Sequence, residues 1–146
     1  MLREFQSLVC VVMVLLSGCN STPTVMDQQL MLKVLASEGD AEAQCILGSA
    51  YRQGLSGFNQ DDSVAFKWFE KSANQGYLDA MELLSICYLQ GRGVTQDLVN
   101  AYFWAELAIH SGSVAAIEIR KALIENMSDA QIAEAQKLAL AKIKSR

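Results

Sequence analysis

Apolar residues crowd into one unbroken run, Leu8 to Leu16, and then thin into a spaced pattern for the rest of the chain. The run holds nine residues, whereas a helix needs about 20 to cross a bilayer. It follows Arg3 and ends in Ser17-Gly18-Cys19, two small residues before a cysteine, the layout of an export signal with its cleavage site. Beyond it the spacing is helical. Ala43, Leu47 and Tyr51 recur at i, i+4, i+8, and Ala65, Trp68 and Ser72 at i, i+3, i+7, each set lying on one helix face. No segment sustains the two-residue alternation of a half-buried strand.

The helical segments repeat. Gly39, Gly76 and Gly112 stand 37 and 36 residues apart and bracket two matching units. Tyr51 pairs with Tyr88, Gly54 with Gly91, Gly57 with Gly93, Asp61 with Asp97, Ala65 with Ala101 and Trp68 with Trp104. Each unit reads as helix, turn, helix. Gly54 and Gly57 interrupt the chain, and Asp61 stands where a side-chain oxygen can cap the free N–H groups of the second helix. The flanks continue the pattern in degraded form. Residues 27–38 predict a leading helix, and Ser113 is placed to cap another over 114–126. Ser128 and Gln131 form a capping box before a last helix running from Asp129 to about Lys144, with Ala133, Gln136, Ala139 and Leu140 along it. Seven helices are expected.

The two units resemble the Sel1-like repeats, relatives of the tetratricopeptide class. The second carries Ala80, Leu84, Tyr88, Gly91, Gly93, Val94, Asp97, Ala101, Trp104, Ala108 and Gly112 of that pattern. The first carries Ala43, Leu47, Gly48, Tyr51, Gly54, Gly57, Asp61, Ala65, Trp68, Ala73 and Gly76. The resemblance implies an all-α fold, a short right-handed α-solenoid of antiparallel helix pairs. Full repeats are expected at about 39–75 and 76–111, within a repeat domain over 27–146 whose flanking helices are 27–38 and 113–146. Ser85 departs from the pattern where a glycine is usual, which predicts slightly wider packing there. Tyr77 departs where the first unit has Asp40, which predicts a lost cap.

The N-terminal segment resembles the lipobox of bacterial lipoproteins. That likeness implies cleavage of residues 1–18, lipid on Cys19 and a tether over 19–26. Several acyl chains together anchor a protein stably, where one holds only marginally. Seven residues, Asn20 to Met26, reach at most about 25 Å when extended, so the domain should stay close to its membrane. Asn20 stands where an aspartate usually marks inner-membrane retention, which points to the outer membrane, facing the periplasm.

Charge and composition narrow the chemistry. The net charge is −4, which argues against nucleic acid, whose binding needs clustered Lys and Arg. His110 is the one histidine, so no multi-histidine metal site or catalytic cluster can form. It falls in the last turn of a helix, where a positive charge suits the dipole. Asp61 and Asp97 read as caps, Trp68 and Trp104 as core, and no nucleophile or phosphate-binding motif is found. No enzyme activity, metal or cofactor is therefore expected. Of the four cysteines, Cys10 lies in the signal and Cys19 is assigned to lipid, while Cys45 and Cys87 read as packing thiols. Their helical offsets place them too far apart to bridge.

What remains is a surface. The resemblance implies an adaptor that binds another envelope protein on the concave side lined by the first helix of each pair. The alternative in the same family is a periplasmic immunity lipoprotein that neutralises a phospholipase-type toxin by binding it. Opposite the packed residues Leu47, Tyr51, Leu84 and Tyr88, the first helices offer Cys45, Ser49, Arg52, Asp79, Glu82, Ile86, Leu89, Glu118 and Glu125. Ile86 and Leu89 form an apolar pair, flanked by Glu82 and Glu118, with Arg52 and Asp79 beside it. A partner with a basic, partly apolar segment fits that expectation.

Overall fold

In a computed structural model, residues 25–55 and 57–145 are described; Cys19, the expected signal and residues 19–24 of the expected tether lie outside them, while its last two residues, Val25 and Met26, belong to the first helix. The described residues form seven helices and no strand: α1 (Val25–Ser37), α2 (Ala41–Gln53), α3 (Asp62–Asn74), α4 (Leu78–Gln90), α5 (Leu98–His110), α6 (Ala115–Ile124) and α7 (Asp129–Lys144). The helices stack in chain order. α2 pairs with α3 and α4 with α5, α1 covers α2, α3 meets α4, and α5 takes both α6 and α7. This is an α-solenoid in which each unit leans on its neighbours. No described helix is long and apolar enough to cross a membrane.

The caps explain where the helices begin. The carboxylates of Asp40, Asp61 and Asp97 accept from the N–H groups of Ala43, Val64 and Asn100, at 2.7, 2.9 and 3.0 Å. Ser113 accepts from Ala116 N–H at 2.9 Å, so it caps α6 although the regular helix starts two residues later. The Ser128–Gln131 capping box is formed. Tyr77, at the position of Asp40, gives α4 no side-chain cap. The two units also close alike: Asp61 N–H donates to Tyr51 C=O and Asp97 N–H to Tyr88 C=O.

The core runs through the stack. Its central cluster joins Cys45, Phe66, Phe69, Met81, Leu84, Cys87, Trp104 and Leu107 across α2 to α5. One satellite sits between α1 and α2 around Ala36, Leu47 and Phe58, and another joins α5 to α6 and α7 through Tyr102, Leu123 and Ala135. The first interface is partly polar. Gln44 donates to Ala36 C=O at 3.0 Å and accepts from Gln75 at 2.8 Å, and Ser72 donates to Ala41 C=O at 2.6 Å. Met81 and Ala108 occupy the positions equivalent to Gln44 and Ser72 in the second unit, where contact is apolar.

Four expectations are corrected. α1 begins at Val25 rather than Asp27, and α6 covers 115–124 rather than 114–126. The inner row of α7 is Ile132, Ala135, Ala139 and Ile143, so Ala133 and Leu140 point to solvent and Gln136 only reaches the Tyr102 hydroxyl. Trp104 is core, whereas Trp68 is half-buried at the rim of the α1–α2 satellite, with Lys71 Nζ 4.2 Å above its ring.

Candidate protein-binding face

The outward residues of a first helix follow from its buried ones. In α4 the buried side is Ala80, Met81, Leu84, Ser85 and Cys87, which leaves Asp79, Glu82, Leu83, Ile86, Leu89 and Gln90 on the opposite arc. The repeat maps these onto Glu42, Cys45, Ile46, Ser49, Arg52 and Gln53 of α2. The arc splits into a ridge and two flanks. On one flank of α2, Cys45 turns toward α4 and is buried in the central core. The corresponding flank of α4 meets the next unit: Glu82 accepts a short hydrogen bond from Ser113, and Leu89 packs on the cluster around Tyr102 and Leu123.

The residues proposed from sequence therefore take different roles. Asp79 is exposed and Ile86 half-buried on the ridge. Arg52 is half-buried, its guanidinium 5.6 Å from the centre of the Phe69 ring. Glu82 is engaged by Ser113, and Leu89 is covered, so the apolar pair with Ile86 is not a free patch. Glu118 is exposed but pairs with Lys121 at 2.7 Å. Glu82 and Glu118 thus do not form a free acidic flank beside Ile86. Acidity sits instead at the head of the α2–α4 seam. There partial burial and the charges of Asp79 and Glu42 push the Tyr77 phenol above its ordinary range, and Asp79 and Glu42 also act on Cys45. Arg52 lies about 15 Å from Glu42 along α2, at the other end of the seam.

Two ridge residues escaped the sequence reading. Ile46, 49% exposed, and its repeat equivalent Leu83, half-buried with part of its side chain on the central core, are both apolar on the outward arc. Comparing 46 with 83 across the 37-residue period would have found them.

The two thiols are inert. Burial is the main cause that lifts both Cys45 and Cys87 to about 11; Asp79 adds to the first, while Arg52 partly offsets both. Both are free and buried, as expected of packing thiols. The described residues hold no group of three or more His, Cys, Asp or Glu side chains able to hold a metal ion.

Paired helices that recur with matching caps and closing turns define a helical-repeat protein. The chain belongs to the Sel1 repeat family, whose pattern matches residues 41–77 and 78–113. Among solved structures, a protective antigen of uropathogenic Escherichia coli with an SLR fold superposes with a TM-score of 0.73 at 29% identity, covering 77% of this chain and 24% of that one. A Sel1 repeat protein from Oxalobacter formigenes gives 0.63 at 38% identity, covering 65% and 27%. Among curated proteins, Protein SHC1 of Saccharomyces cerevisiae is 34% identical over 77 residues, 53% of this chain and 15% of its own length. HRD3A of Arabidopsis thaliana, an ERAD-associated E3 ubiquitin-protein ligase component, is 36% identical over 63 residues, 43% of this chain and 9% of its own. The chain thus spans less than a sixth of the curated relatives it matches.

Proposed function

We propose that this protein is a non-catalytic adaptor of the bacterial envelope, held at a membrane by lipid on Cys19 and binding another protein on the outward ridge of its first helices. The carrying observation is that ridge: Ile46 and Ile86 offer apolar contact beside the acidic pair Glu42 and Asp79, so a partner segment with basic and apolar residues is complementary. Repeats of this family typically build protein-binding scaffolds, and HRD3A is itself named as an E3 ubiquitin-protein ligase component. The anchor rests on the sequence Leu16-Ser17-Gly18-Cys19, and the outer membrane facing the periplasm is the location it supports.

A photo-crosslinking residue placed at Ile46 or Ile86 in growing cells should give the same discrete adduct, and one at Glu134 on α7 should give none. Ile46→Asp with Ile86→Asp should abolish the adduct while leaving thermal unfolding within a few degrees. An adduct that ignores position, or survives both substitutions, would overturn the reading.

A further inference from the structure

α1 exposes apolar residues alongside its exposed Asp27, Gln28, Lys33 and Ser37. Leu32, Leu35 and Ala36 pack on α2, yet the opposite arc carries Met26, Leu30 and Val34 at i, i+4, i+8, with Met31 beside them. Met26 is 76% exposed and Leu30 64%. Asp27 shares this side, in the first turn, where a carboxylate suits the helix dipole. Lys33 borders the row, its ammonium 5.1 Å from the centre of the Phe58 ring. An exposed row of large apolar side chains on one helix marks a surface that a partner or a membrane covers. The outer helix at the other end of the stack differs: α7 mixes Leu138 and Leu140 with Glu134, Lys137, Lys142 and Lys144, an ordinary solvated face.

Chain length says what covers α1. Only residues 20–24 separate Cys19 from Val25, five residues that reach at most about 18 Å. The headgroup layer is roughly 5–7 Å deep on each side of the hydrocarbon, and a helix with its side chains is about 10–12 Å across. An acyl group on Cys19 would therefore keep α1 within about one helix width of the headgroups, where so short a linker gives a high effective concentration of bilayer surface.

We infer that α1 is a membrane-lying helix: Met26, Leu30, Met31 and Val34 seat in the headgroup–acyl boundary of the bilayer that holds the lipid. This rests on the anchoring at Cys19. It makes the anchor a two-point contact and fixes the domain's orientation, with the stack rising from α1.

The test uses the lipidated full-length protein in phosphatidylethanolamine–phosphatidylglycerol vesicles. An environment-sensitive fluorophore is attached to a cysteine introduced as Leu30→Cys or Val34→Cys, with Ala133→Cys on α7 as the control; Cys45 and Cys87 are buried and stay unlabelled under native conditions. Lipids brominated near the headgroup should quench the α1 probes about twofold and leave the α7 probe unchanged. Flotation with vesicles but no quenching at α1 overturns this inference and leaves the anchor standing. Loss of flotation overturns both. A probe that is shielded but unquenched, with the protein dimeric in detergent, assigns the face to a second copy and likewise overturns it.

Discussion

At the scale of single residues, the two repeats solve one packing problem in two ways. A Cβ added at Gly48 would stand 2.7 Å from the Phe69 ring and 3.1 Å from Ala65 C=O. In the second unit the equivalent residues are Ser85 and Ala105; the serine is fully buried and donates to Ala101 C=O at 2.7 Å. The wider packing expected at Ser85 is thus met by a smaller partner and a hydrogen bond. Gly48→Ser alone should cost about 1–3 kcal/mol through overpacking, and Phe69→Ala alone about 3–5 kcal/mol through the cavity. The double variant, which copies the second unit, should fall short of their sum by at least about 1 kcal/mol in urea unfolding; strict additivity would refute the compensation. The thiols give a second expectation. With Cys45 and Cys87 near 11 when folded against 9.0 in their ordinary state, the unfolded chain loses protons first as pH rises. Stability is then full below pH 9 and falls through pH 11. Urea midpoints at pH 8 and 10.5 should differ, and Cys45→Ala with Cys87→Ala should narrow the gap. An unchanged gap would place the loss elsewhere.

At the scale of elements, the sequence was most legible where local chemistry decides. Asp40, Asp61, Asp97 and Ser128 cap because the orphan N–H groups are one turn away, and the helix boundaries followed within two residues. It was least legible where a helix is apolar on two sides. α7 offers Ala133 and Leu140 as readily as Ala135 and Ala139, and only its packing against α5 selects the second row. The flanks of the first helices failed for the same reason: Cys45, Glu82 and Leu89 are outward on a lone helix and become covered once the next unit stacks against them. Stacking also distinguishes paired turn glycines. Gly93, at φ 72°, lies against the backbone of Asp62, so a Cβ there would strike the Asp62 carbonyl; at Gly57 it would meet only the end of the Gln29 side chain. Gly93→Ala should therefore destabilise by more than about 2 kcal/mol and Gly57→Ala by about 1 kcal/mol, since Gln29 can swing away while a helix start cannot. Equal thermal shifts for the two would refute this loop-on-helix contact.

At the scale of the whole molecule, stability should follow position in the stack. α3, α4 and α5 each contribute to the central cluster and are covered by neighbours on both sides. α1 holds on through Leu32, Leu35, Ala36 and the bond from Gln44 to Ala36 C=O. In a chain whose units touch only their neighbours, the end opens first and the middle opens only with the whole. Native-state hydrogen exchange of the Cys19→Ser protein should thus show α1 exchanging fastest among the helices, and α4 and α5 slowest, near the global unfolding free energy. In the lipidated protein on vesicles, α1 protection should rise by about tenfold or more while α4 and α5 stay unchanged, because a surface that covers one side of a helix adds to that helix alone. Protection rising evenly along the stack would mean a general stabilisation and no seat for α1. Protection unchanged everywhere would mean that the exposed methionine and leucine row stays in water even when the lipid holds it within reach of the bilayer.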